Sequence, residues 1–126
     1  MPNISTRPTQ LPEELGMYVD GLRKRYPSLD EVWLLGPRVN EEEKRGSDWD
    51  LLAFGDAHAL AAIRSDRSVH RDDLNFMVVT DGDRFEKAWG DPEPGRLADL
   101  QWRREDPHSA TYVAQEGDRE AAVRVR

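Results

Sequence analysis

The chain has 126 residues, a length typical of one domain, and its 25 acidic and 18 basic residues give a formal net charge of −7. This acidic balance argues against an extended nucleic-acid-binding surface, which depends on clustered Lys and Arg. The sequence has no cysteine and no apolar stretch near the roughly 20 residues of a membrane span, so disulfides, thiolate metal sites and transmembrane helices are excluded.

Residues 1–11 are rich in Ser, Thr, Asn and Pro and predict a flexible lead-in. They lack the apolar segment of a signal peptide, so we expect a cytoplasmic protein. A helix is predicted to begin near Pro12, with Glu13 in its first turn, and to end before Pro27. Apolar residues at helical spacing give this helix one buried stripe: Leu15, Tyr18, Val19, Leu22 and Tyr26.

The segment Glu31–Leu35 predicts a short buried strand, and the polar segment Arg38–Gly46 predicts a loop after it. The charge run 41–45 within this loop has two interpretations. It is a solvated surface segment, or it supplies a cation, Lys44 or Arg45, to a bound triphosphate.

Two carboxylates, Asp48 and Asp50, stand one residue apart at the start of the apolar run 51–54. In a strand, alternate side chains share a face, so both carboxylates point the same way and Trp49 points to the opposite face. Mg²⁺ prefers oxygen ligands, commonly one or two carboxylates together with substrate phosphates. The pattern therefore predicts a Mg²⁺ (or Mn²⁺) site at Asp48 and Asp50, with a purely structural pair of turn-forming or capping acids as the alternative.

Three further elements are predicted in the middle of the chain. Asp56 is the expected N-cap of a helix. Leu74–Thr80 predicts a long strand, and Asp83–Trp89 predicts a short helix. The residues expected on the buried side of the first of these helices, which should end near residue 63, are Ala57, Leu60, Ala61 and Ile63.

Residues 97–126 predict a β-rich C-terminal extension, an antiparallel meander that continues the main sheet or packs beside it. A hairpin turn is expected at Glu116–Asp118. The β-like segments are Leu97–Arg104, Ala110–Gln115 and Ala121–Val125. The four tryptophans are expected core anchors, and the three histidines have no zinc-like spacing and are expected to be exposed or capping.

The segment Leu34-Leu35-Gly36-Pro37, followed by ten residues and then Asp48-Trp49-Asp50, resembles the signature of the minimal nucleotidyltransferases of the DNA polymerase beta superfamily. That signature is a Gly-Ser pair, ten residues and Asp-x-Asp, and here Pro37 stands in place of Ser. The resemblance covers about the first two-thirds of the chain. It implies an α+β fold with a nucleotidyltransferase-type mixed sheet flanked by helices, in a single domain spanning residues 1–126.

The resemblance also implies roles for individual residues. Asp48 and Asp50 would bind the metal and act in catalysis, while Gly36, Arg38 and Ser47 would lie near the nucleotide phosphates. Because proline has neither an N–H nor a hydroxyl, the Gly36 corner has lost two potential phosphate donors, for which Arg38 is a possible replacement.

A third carboxylate on a later strand completes the family site. Here Asn75 occupies the matching position, and an amide carries neither a negative charge nor a base. Asp73, two residues earlier, is the expected substitute if a third carboxylate exists.

The function that follows from the resemblance is metal-dependent transfer of a nucleoside monophosphate from a nucleoside triphosphate to a hydroxyl acceptor. The alternative is a catalytically impaired binding module of the same fold, an antitoxin-like or regulatory subunit for a helical HEPN-type protein. The Pro37 and Asn75 departures favour this alternative. A third possibility is a small acidic domain without a metal site.

Overall fold

The computed structural model describes residues 13–35, 49–92, 94–113 and 119–125. These residues form one mixed sheet of eight strands with helices on its flanks, so the expected α+β class is confirmed. The elements are α1 (Glu13–Arg25), β1 (Glu31–Leu35), β2 (Trp49–Phe54), α2 (Ala57–Ser65), a 3₁₀ helix (Arg67–Val69), β3 (Leu74–Val79), β4 (Arg84–Lys87), β5 (Gly95–Arg96), α3 (Leu97–Leu100), β6 (Arg103–Asp106), β7 (Ser109–Val113) and β8 (Arg119–Val125).

The strand order is β5-β4-β3-β2-β1-β8-β7-β6. Among the described pairs of neighbouring strands, only β2 and β3 are parallel, because α2 carries the chain back along the sheet between them. Since β1 runs antiparallel to β2, its C-terminal end meets the start of β2 and the start of β3. We call this boundary, which carries Leu35, Trp49 and Leu74, the strand-end edge.

One side of the sheet, the helix face, packs against α1 and α2. The α1 stripe is confirmed: Leu15, Val19 and Leu22 are buried, with Tyr18 and Tyr26 half-buried beside them. Asp56 caps α2 by accepting the Ala59 N–H at 2.8 Å, also as expected. The residues that α2 buries are Ala59, Leu60 and Ile63.

The prediction that Ala57 and Ala61 face the core is wrong, because both are exposed. These two alanines stand four residues apart on one side of α2. Ala59 and Ile63 stand four apart on another side, and that side meets the sheet. Capping by Asp56 sets where the helix starts, but packing selects which side is buried.

The other side of the sheet, the concave face, carries Trp33, Leu52 and Tyr112 in a second apolar cluster. Leu97 reaches this cluster from one end of the sheet and Tyr112 from the other, so the sheet curls around it. Trp102 packs edge-on against the fully buried Trp33, with ring centroids 5.3 Å apart. The tryptophans on this face are therefore core anchors, as expected.

The predicted helix at Asp83–Trp89 is wrong, because the segment forms strand β4, antiparallel to β3. The Asp81 carboxylate accepts the N–H groups of Asp83 and Arg84, and Gly82 adopts a φ of +89°, which together make a tight turn. Pairing along β3 satisfies backbone groups that a helix would have left unpaired at that sheet edge, so tertiary context overrides local propensity.

The C-terminal meander is confirmed, since β6, β7 and β8 pair antiparallel in sequence and β8 joins β1. The strand expected from Leu97 is only partly right: Leu97–Leu100 is a helical turn, closed by Gln101 at a φ of +52°, and β6 begins at Arg103. The expected lead-in and the Glu116–Asp118 turn lie outside the described residues. No described helix has the length and apolar character needed to cross a bilayer.

Candidate active site

Asp50 and Asn75 meet at the strand-end edge. They are directly paired in the parallel register of β2 and β3, and the Asn75 Nδ2 amide donates to Asp50 Oδ1 at 2.9 Å. Both side chains are half-buried. The residue at the third-carboxylate position of the resemblance therefore lies in contact with the second acid of the Asp-x-Asp pair.

Alternation along the two strands explains this placement. Leu51 and Phe76 are fully buried in the helix-face core, so the residue before each of them projects from the other face. Trp49 packs against the helix-face cluster, as expected from its position between the two acids. Asp50 and Asn75 thus share the concave face, where Leu52 continues the same row on β2.

The Asp73 side chain is held by Arg71. Arg71 Nε donates to Asp73 Oδ1 at 2.9 Å and Nη2 donates to Oδ2 at 2.6 Å. The same guanidinium lies 3.6 Å from a Glu14 carboxylate oxygen and 5.3 Å from the centre of the Tyr18 ring. The Asp73 carboxylate is therefore held beside α1, on the side of Arg71. The backbone oxygen of Asp73 lies beside the strand-end edge, where it accepts the Trp49 N–H at 2.9 Å.

Gly36, Arg38, Ser47 and Asp48 lie outside the described residues, as does Pro37, and their assigned roles stay predictions. Their described neighbours in the chain are Leu35 and Trp49, and both lie at the strand-end edge.

The donor chemistry at Asp50 and Asn75 is compatible with a hard divalent cation. Asp50 supplies a carboxylate, and Asn75 would supply its amide oxygen with the side chain turned about its terminal bond. Two oxygen donors plus substrate phosphates is a common arrangement for Mg²⁺. Among the described residues, no three His, Asp and Glu side chains are arranged to hold a metal ion.

A second polar region was not predicted from the sequence. On the helix face, a groove of about 710 Å³ is lined by Arg64, Arg67, His70, Glu86, Lys87 and Trp89, and we call it the basic groove. These residues lie on or just after α2, the 3₁₀ turn and β4, which are separated along the chain. The one local signal that would have helped is Asp81-Gly82, a hairpin turn dipeptide that implies β4.

Comparison of the chain with protein-family models, curated proteins and solved structures gives no significant match.

Proposed function

We propose that the chain is a nucleotidyltransferase-type domain that binds a nucleoside triphosphate with a divalent cation through Asp48 and Asp50, and that its transfer activity is impaired. The observation that carries this proposal is the hydrogen bond from Asn75 to Asp50 at the paired start of β2 and β3. The proposal takes up the binding-module alternative, for which the resemblance implies a helical HEPN-type protein as partner.

The chemistry of the third position supports impairment. Transfer to a hydroxyl needs a group that accepts the hydroxyl proton and concentrates negative charge near the metal. Asn75 offers neither, because a neutral amide is not a base. Its N–H is also bonded to Asp50 Oδ1, so the Asn75 amide must turn before both side chains present oxygen to a cation. A bound cation would neutralise phosphate charge, and the domain would retain the nucleotide without turning it over efficiently.

An active transferase that uses Asp73 is the second candidate. The Arg71–Asp73 pair is partly exposed, with side-chain exposures of 27% and 50%. Release of Asp73 from Arg71 would therefore cost less than breaking a buried ion pair. The acceptor oxygen would then attack the α-phosphorus, pyrophosphate would leave, and the hydroxyl proton would pass to the Asp73 carboxylate.

Nucleotide binding is tested by titrating the protein with Mg²⁺ or Mn²⁺ and then with ATP, GTP, CTP and UTP while following backbone amide chemical shifts. We expect metal-dependent shifts at residues 49–52 and 74–76, lost in Asp50→Asn and kept in the matched control Asp99→Asn, an exposed acid on α3. Shifts that persist in the double variant Asp48→Asn with Asp50→Asn contradict the proposal.

The variant Asn75→Asp separates the two candidates. A carboxylate there should strengthen Mg²⁺ binding about ten-fold, because it adds a charged oxygen ligand beside Asp50. If transfer is impaired by Asn75, pyrophosphate release from ATP rises in Asn75→Asp and is negligible in the natural chain. If the natural chain already turns over and Asp73→Asn abolishes that turnover, the second candidate is correct.

A further inference from the structure

The basic groove has a rigid aromatic wall. The His70 and Trp89 rings stack with centroids 4.6 Å apart, and Trp89 stacks on the fully buried Phe76 at 5.5 Å. The Trp89 indole N–H donates to the Arg71 carbonyl at 3.1 Å, which fixes the ring. This wall is anchored in the helix-face core through Phe76.

His70 contacts the end of α2 through its ring. Its Nε2 lies 2.9 Å from the Ile63 carbonyl oxygen, and since a carbonyl only accepts, a hydrogen bond here requires the tautomer with a proton on Nε2. The Asp66 N–H also donates to the Ile63 carbonyl, at 3.0 Å. The C-terminal end of α2 therefore presents one carbonyl fewer to repel an anion in the groove.

The cations of the groove divide into engaged and available groups. Arg64 is engaged, since it donates to the Lys87 carbonyl at 3.0 Å and lies 3.4 Å from a Glu86 carboxylate oxygen. Arg67 and Lys87 form no ion pair with any described residue. A Cβ placed on Gly90 would lie 3.5 Å from Lys87 Nζ, so this ammonium lies over the glycine at the margin of the groove.

Acidic groups counter these cations only weakly. Glu86 is the one carboxylate among the described residues that line the groove, and it is shared with Arg64. The nearby Asp66 carboxylate is engaged elsewhere, by the Tyr26 hydroxyl at 2.5 Å and the Ser68 hydroxyl at 2.6 Å. A locally positive groove thus remains on a chain whose net charge is −7.

We propose that the basic groove binds the phosphate group of a small organic phosphate, with Arg67 and Lys87 as its charged donors. Charge-assisted hydrogen bonds from guanidinium and ammonium groups are the usual means of holding a phosphate. The groove volume of about 710 Å³ lies within the range of small-molecule sites. Because the groove is on the helix face and Asp50 is on the concave face, this site is separate from the proposed nucleotide site.

Titrations with AMP, inorganic phosphate and adenosine test the inference, followed by backbone amide shifts and calorimetry in the presence of EDTA, which disables a metal-dependent site. We expect AMP and phosphate to shift the amides of Arg67, His70, Lys87 and Trp89. Adenosine, which has the base but no phosphate, should leave them unchanged. If AMP binds more tightly than inorganic phosphate, the ligand is an organic phosphate. If AMP and inorganic phosphate bind with equal affinity, the groove is a site for the free anion.

Matched charge variants assign the binding to the groove. Arg67→Gln with Lys87→Gln should weaken AMP binding by at least about ten-fold, because each lost donor contacts a charged group. The control Lys24→Gln with Arg103→Gln removes the same charge from exposed positions outside the groove and should change affinity less than about two-fold. Glu86→Gln should tighten binding, because it removes the groove's opposing charge.

Three results would overturn the inference. The first is no binding of AMP or phosphate up to about 10 mM. The second is equal weakening by the groove variant and the control variant. The third is shifts confined to Asp50 and Asn75. Since EDTA removes the metal, failure here leaves the proposed nucleotide site untouched, and loss of that site leaves the groove intact.

Discussion

Several tyrosine and tryptophan side chains have different hydrogen-bond partners on the two faces of the sheet. On the helix face, the Tyr18 hydroxyl donates to the Val69 carbonyl at 2.6 Å and the Trp89 N–H donates to the Arg71 carbonyl. On the concave face, the buried Trp102 Nε1 has no hydrogen-bond partner among the described residues. The Trp33 Nε1 there donates to a carboxylate, Glu31, at 2.9 Å.

The reason lies in the backbone. Carbonyls within strands are used by the sheet ladder, whereas helix ends and the turns that connect them leave carbonyls available. The helix face has α2, a 3₁₀ turn and the loop at residues 70–73, so neutral polar side chains find backbone acceptors there. The concave face is lined mainly by strands, and there the Trp33 N–H donates to the Glu31 carboxylate, so part of its stability depends on that acid being ionised.

The first prediction compares the two cores directly. Trp33→Ala on the concave face and Phe76→Ala on the helix face should each lower the free energy of unfolding by about 3–5 kcal/mol, since both side chains are fully buried. Urea unfolding measures both. A cost below about 1 kcal/mol for Trp33→Ala would mean that the concave-face cluster is not a true core.

The second prediction concerns high pH and the helix face. Burial raises the pKa of Tyr18 to about 12; the Asp73 and Asp66 carboxylates add to this, and Arg71 opposes it. Because the unfolded tyrosine releases its proton near pH 10, the contribution of Tyr18 to stability is fully present below that pH. The fold should lose about 2 kcal/mol of it as the pH rises from about 10 to 12.

Urea unfolding at several alkaline pH values, combined with an ultraviolet titration of the phenols, checks this expectation. In Tyr18→Phe the alkaline loss should become shallower, although the variant is less stable at neutral pH because the bond to Val69 is gone. An equally steep loss in that variant would assign the effect to another group.

The third prediction tests the start of α2. Asp56→Ala should cost about 1 kcal/mol, because the Ala59 N–H loses its acceptor at the N-terminus of the helix. Asp56→Asn should retain most of the stability, since an amide oxygen also caps. Thermal unfolding of the two variants measures the difference, and equal losses would argue against a capping role.

The fourth and smallest effect belongs to the concave face at low pH. Burial raises the pKa of Glu31, but hydrogen bonds from Arg104 and Trp33 outweigh it, and the net shift is downward. Because the folded pKa is below the unfolded value, the stabilisation is present above about pH 4.5 and is lost as the pH falls through the folded pKa.

Glu31→Gln should therefore cost about 0.5–1 kcal/mol at pH 7, a modest value because Arg104 is partly exposed. The natural chain and the variant should converge in strongly acidic solution. Glu105→Gln, at an exposed position on β6, serves as the control with little expected change. A difference that persists at low pH would indicate a packing effect rather than a charge effect.

The placement of Asp50 and Trp49 was predictable because its signal is local: alternation in the run after Asp48 put the two side chains on opposite faces. The position of Asn75 was proposed from the resemblance, and its hydrogen bond to Asp50 is seen only in the folded chain. The engagement of Asp73 by Arg71 was not predictable. It depends on Tyr18 and α1, which approach that turn only in the folded chain.

The sequence by itself determined α1, β1 and the capped start of α2, because helical spacing, a short apolar run and a capping carboxylate act within a few residues of one another. Tertiary structure decided that residues 84–87 pair with β3 as a strand, a result to which only the Asp81-Gly82 turn pointed locally. It alone decided that Arg67 and Lys87 share one groove, because contact between segments that are separated along the chain leaves no trace in the local pattern of either one.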